Sequence, residues 1–179
     1  MGYAHSFKHF KEPTLEQWTE LTTAFKKVVD NLPAESETAG GYYPGCPIEL
    51  QFDYDNPAPP QIDDEKIRFN GAGDYGFETF WVPRVPIDED CPKLYRKTDR
   101  RPYDFAACAV LILLERFAPD CYEVSSDGHT EDWMPALKHL QQLLELPDLK
   151  LPRDIRSPAP GEIGAKKELR VITNAPVWF

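Results

Sequence analysis

The spacing of apolar and polar positions changes several times along the chain, and each change marks an element. Over residues 2–10, Tyr3, His5 and Phe7 alternate with small or charged residues, the period-two pattern of a strand. Pro13 and Thr14 then open a helix. Thr14 and Gln17 stand at capping-box spacing, where each side chain satisfies a backbone donor at the helix start. Leu15, Trp18, Leu21, Phe25, Val28, Val29 and Leu32 follow at helical spacing, and Pro33 ends the run. A Gly-, Pro- and Tyr-rich loop over 31–45 precedes a second alternation (Ile48, Leu50, Phe52, Tyr54), which predicts a strand over 48–54. Asn56 to Pro60 is a stiff, extended connection. Lys66 to Asn70 predicts a short strand that turns at Gly71–Gly76 into another over Phe77–Val82. The pair reads as a hairpin with a loop of about five or six residues.

Pro83 to Arg100 is mixed in charge and shows no period. Pro102 suits the first turn of a helix, where its missing N–H is not needed. From Phe105 to Leu114 that helix has no polar face, so it belongs at the centre of the core, and Pro119 ends it. Cys121 to Ser125 predicts a last strand and Ser126-Asp127-Gly128 a turn. With Thr130 or Asp132 as cap, Trp133, Leu137, Leu140 and Leu144 mark a third helix that stops at Pro147. The order strand, helix, strand pair, helix, strand, helix predicts an α+β fold: one antiparallel sheet of split βαβ-like order, enlarged by the 48–54 strand, with helices on one face. There is no internal repeat.

Charge divides the chain. Residues 147–179 hold five prolines and six bases (Lys150, Arg153, Arg156, Lys166, Lys167, Arg170) against four acids, a net of +2. With −10 overall, residues 1–146 carry −12. The expectation is a single α+β domain over 1–146 and a Pro-rich basic extension over 147–179. Its apolar end, Val177-Trp178-Phe179, would wrap back on the acidic domain or dock a partner. The acidic balance disfavours nucleic acid and anionic membranes as partners. The longest apolar run, ten residues, is half of the roughly 20 that a membrane helix needs. No signal-peptide pattern opens the chain, and Cys46, Cys91, Cys108 and Cys121 form no CxxC pair. A cytoplasmic protein without disulfides is expected. Gly2 and Ser6 fit a myristoylation pattern, although the strand over 2–10 accounts for both.

Three segments are candidates for chemistry. Lys97-Thr98-Asp99-Arg100-Arg101-Pro102-Tyr103-Asp104 stands at the entrance of the apolar helix. A helix N-terminus attracts anions, and Lys97, Arg100 and Arg101 would strengthen that attraction. Tyr103 and Asp104 would move protons; alternatively Asp104 caps the helix and the arginines pair with acids. In the hairpin, Arg68, Asn70 and Glu78 are placed to share one face, but GxGxxG and phosphate-loop patterns are absent, so no cofactor is expected. In Ser125-Ser126-Asp127-Gly128-His129, Asp127 is either a ligand group or part of an Asx turn. His5 and His9 share a strand face but lie roughly 13 Å apart at about 3.3 Å per residue, too far for one ion, so no metal site is expected. The acidic runs at 53–55, 63–65 and 88–90 read as solvated loops or as mimics of a phosphate backbone.

Several of these blocks together resemble a group of small proteins from bacterial, phage and prophage genomes. The group opens Met-Gly-Tyr-Thr-His-Tyr, here Met1 to Ser6, and has counterparts of Gln61–Gly73, Glu78-Thr79-Phe80, Tyr95–Asp104 and Val124–Gly128. In this group a cysteine usually stands where this chain has Arg96. The resemblance covers about residues 1–146 and implies kinship, with no activity attached. Two functions are expected. One is binding, or acting on, a small anionic, nucleotide-like ligand, with Arg68, Asn70, Lys97, Arg100 and Arg101 binding and Tyr103, Asp104, Glu78 and Asp127 orienting it or moving protons. The alternative is an acidic interaction protein of mobile-element origin that blocks a basic protein partner.

Overall fold

In a computed structural model, which describes residues 3–37, 43–87 and 93–155, residues 106–114 are buried on every side. The helix that carries them, α2 (Asp104–Phe117), is therefore the centre of the core. α1 (Leu15–Asp30) packs on one flank through Trp18, Leu21, Phe25 and Val28. α3 (Thr130–Leu143) packs on another through Trp133, Ala136, Leu137 and Leu140. Each large apolar side chain fully buried here contributes about 1.5–3 kcal/mol. The start of α1 follows its sequence closely: Gln17 N–H donates to Thr14 Oγ1 at 3.2 Å, and Thr14 N–H to Gln17 Oε1 at 2.9 Å.

The fold is α+β, and its strands form two antiparallel sheets rather than the one expected. In the first, β1 (Ala4–His9) is central, between β6 (Lys93–Lys97) and β7 (Tyr122–Ser126). In the second, β4 (Lys66–Gly71) pairs with β2 (Leu50–Gln51), β3 (Gln61–Ile62) and β5 (Phe80–Pro83). Only two residues of the 48–54 alternation are strand, because Asp53 and Asn56 close a turn on each other. β5 begins at Phe80, later than expected, because Asn70 holds the preceding residues in a loop. Its amide donates to Phe77 O and Thr79 Oγ1, and its oxygen accepts from the Gly71 and Phe77 amides. β6 falls in the stretch read as irregular. It is an edge strand rich in lysine and arginine, and none of its residues is buried, so it has no apolar alternation to read.

The start of the C-terminal extension lies on the core: Leu149 is buried, and Leu151 and Ile155 pack against the cluster. The rest of the extension, Gly2 and the acidic run 88–90 lie outside the described residues. Among the described residues, no helix is long and apolar enough to cross a membrane.

β1 points Tyr3, His5, Phe7 and His9 to the buried side. His9 stacks on Tyr122 at 4.2 Å, and burial holds its imidazole down at about 4, with Lys11 and Glu12 opposing only in part. Between pH 6.5 and 4 the unfolded chain takes up a proton there that the folded chain refuses. Stability therefore falls as pH drops through that window and levels off below it. Urea midpoints from pH 7 to pH 4 are expected to decline in the native protein and to decline less in His9→Phe. An equal decline in both would remove His9 as the cause.

Candidate functional site

Two of the three candidate segments, 97–104 and 125–129, meet β1 at one end of the first sheet. The strand period turns His5 inward, toward the first turn of α2. Asp104, the first residue of that helix, does not cap it. Its carboxylate points inward, where His5 Nε2 lies 2.7 Å from Oδ1 and the Thr98 hydroxyl donates to the same oxygen. One helical turn on, the Cys108 thiol donates to Asp104 Oδ2 at 3.8 Å and sits 3.9 Å from His5 Nε2. The His5, Asp104 and Cys108 ligand atoms all lie within 4.8 Å of one another, and all three residues are buried. A charge this deep is tolerated only when paired and hydrogen-bonded.

A second ring of groups fixes the first. Ser126 Oγ lies 2.9 Å from His5 Nδ1 and accepts the Gly128 N–H at 2.9 Å. Asp99 and Arg100 both adopt left-handed backbone, each at φ 53°, a strained pair for residues with side chains. The strain is held by the Arg101 N–H on Thr98 O at 3.0 Å and the Asp99 N–H on Tyr3 O at 3.1 Å. Arg100 then lies over the Tyr3 ring at 3.9 Å and forks onto Asp132 at 3.3 and 3.4 Å. Burial opposes its charge, but Asp132, Tyr3 and Asp104 outweigh that and raise its pKa. Asp132 also caps α3 by accepting the His129 N–H. The rings of Tyr3 and Trp133 each meet the His5 ring edge-on at 5.1 Å. Tyr3 Oη and Trp133 Nε1 are buried without a hydrogen-bond partner among the described residues. Gly128 is required where it stands, since a Cβ there would lie 2.5 Å from Tyr3 Oη.

Of the residues singled out from sequence, Arg100, Arg101 and Asp104 come together. They line a cavity of about 30 Å³ with Asp132 and Phe105. Arg101 donates to Asp74 O at 2.9 Å, with Tyr43 and Phe77 rings nearby, and makes no ion pair among the described residues. The others are engaged elsewhere. Arg68 pairs with Asp53 and covers the Phe52 ring, and Asn70 holds the 72–79 loop. Glu78 accepts the Lys97 N–H at 2.8 Å, and Lys97 itself is exposed. Tyr103 is buried and donates to Glu78 O, and burial raises its phenol too far for proton transfer near neutrality. Asp127 is exposed and accepts the Ala4 N–H. The helix entrance also offers fewer free donors than its position suggests. The Asp104, Phe105 and Ala106 amides donate to the carbonyls of Arg101, Pro102 and Tyr103.

His5, Cys108, Thr98, Ser126, Tyr3 and Asp132 complete the site without having been chosen for it from sequence. Asp104 and Cys108 stand four apart, one face of a helix, and that spacing was a readable signal. Cys108 is not a nucleophile here, since burial first, and Asp104 next, push its thiol well up. The order Ser126, His5, Asp104 has the connectivity of a nucleophile relay, but Ser126 does not line the cavity. No family model, curated protein or solved structure matches the chain.

Thr98 supplies a hydroxyl to a buried carboxylate and is itself fully buried. Thr98→Val keeps the shape and removes the donor. Its expected effect is a loss of about 1–3 kcal/mol in urea unfolding, with Thr98→Ser recovering most of it. Equal stability in the valine variant would show that the carboxylate does not need that bond.

Proposed function

We propose that the protein binds a small anionic ligand, in the cytoplasm, at the cavity beside the first turn of α2. The observation that carries this reading is Arg101: a half-buried guanidinium at the cavity wall with no carboxylate partner among the described residues. Arg100 is committed to Asp132, so Arg101 is the cation left for a ligand. The volume, about 30 Å³, admits one water-sized group. What enters is a single phosphate or carboxylate oxygen, while the rest of the ligand stays outside against Arg101. Behind that oxygen, Asp104 is hydrogen-bonded to His5 at 2.7 Å.

Arg68, Asn70, Lys97, Glu78 and Asp127 are not part of this reading, because their polar groups are engaged elsewhere or exposed. Amide chemical shifts are the direct measurement. Titration with inorganic phosphate, acetate and AMP is expected to perturb residues 100–105 and 132–136. Arg101→Gln should weaken the tightest of the three by about tenfold, the loss of one charge-assisted hydrogen bond. Perturbations centred on other residues, or none at millimolar ligand, would overturn the reading.

A further inference from the structure

We propose that His5, Asp104 and Cys108 are the protein ligands of a buried site for a divalent transition-metal ion of the zinc type. The inference stands on its own three ligands and does not depend on the anion-binding reading.

Separations come first. Ligand atoms on a tetrahedral zinc, with bonds of about 2.0–2.3 Å, lie about 3.3–3.6 Å apart. The sulfur edges of the triangle are already close to this, at 3.9 Å to His5 Nε2 and 3.8 Å to Asp104 Oδ2. His5 Nε2 lies 2.7 Å from the other oxygen of that carboxylate, and one ligand atom from each residue falls within 4.8 Å of the other two, so the separations have to change by no more than about 1.5 Å. The two sides of the triangle come from two different elements: Asp104 and Cys108 from one face of α2, His5 from the central strand of the sheet.

The surrounding groups are those a metal site needs. A ligating imidazole is usually oriented through its other nitrogen, and a ligating carboxylate is itself hydrogen-bonded. Ser126 Oγ stands at His5 Nδ1, and the Thr98 hydroxyl on Asp104. Charge points the same way. A divalent ion that displaces two protons leaves the net charge of this buried centre unchanged, so its entry brings no uncompensated charge into the core. A bound ion takes the place of the thiol proton of Cys108 and the proton shared by His5 and Asp104, and both protons leave to solvent. One nitrogen, one oxygen and one sulfur suit zinc, cobalt or iron and exclude the all-oxygen preference of magnesium and calcium. Of the three ligands, Asp104 also lines the adjoining cavity, which has room for one water.

The experiment is a cobalt titration of the full chain after chelator treatment. Saturation at one ion per chain is expected, with visible bands of four-coordinate cobalt and an ultraviolet sulfur-to-cobalt charge-transfer band, all removed by zinc. Cys108→Ser should abolish the ultraviolet band, while Cys46→Ser, Cys91→Ser and Cys121→Ser should leave it. No saturable binding, or a band that survives Cys108→Ser or follows another cysteine, would overturn the proposal. If Cys108→Ser fails to fold by circular dichroism, X-ray absorption on the zinc-loaded native protein decides. One sulfur with nitrogen and oxygen neighbours supports the site, and a sulfur-free or multi-sulfur shell refutes it. Neither result depends on whether phosphate or AMP binds.

Discussion

A carboxylate carried into the interior by the first residue of an apolar helix is the constraint around which this end of the molecule is built. α2 needs burial on every side, and its N-terminal turn goes in with it, taking Asp104 along. Desolvating that group without partners would cost several kcal/mol. The neighbouring elements are arranged to prevent this. β1 brings an imidazole, the segment before the helix brings the Thr98 hydroxyl, and the turn at Asp99 and Arg100 accepts a left-handed backbone to do so. Arg100 then ties this turn to the cap of α3 through Asp132, so one guanidinium links the starts of two helices.

Much of the fold was legible in the sequence where local signals and burial agree. The capping box at Thr14, the apolar run to Leu114 and the alternation of Tyr3, His5 and Phe7 each specify one element and one buried face. The division into two sheets was not legible, since strand pairing is settled by contacts far apart in the chain. β6 was missed because an edge strand has no buried face to impose a period. The shortened β2 and late β5 follow from side chains that hold turns, Asp53 and Asn70, whose partners lie up to 26 residues away.

The site was legible in pieces. Asp104, Arg100 and Arg101 were chosen for being near a helix start, and they do share a cavity. The strand period sets His5 on one face with His9, whereas its partners come from α2 and β7. Cys108 looked like one more apolar residue in a buried run. Its chemistry appears only when the helix face it shares with Asp104 is set against β1. A sequence shows which faces are buried more readily than which buried faces oppose each other.

β6 has a further consequence. The first sheet ends on one side at this strand, whose outer backbone groups are a template for another chain. Lys93, Arg96 and Lys97 place three positive charges along its five residues, and two copies laid edge to edge would bring those charges together. The same residues that hide the strand from a hydrophobic pattern thus act as its guard against self-assembly. In a molecule that is acidic overall, this rim is a local reversal of sign that opposes edge-to-edge pairing of two copies.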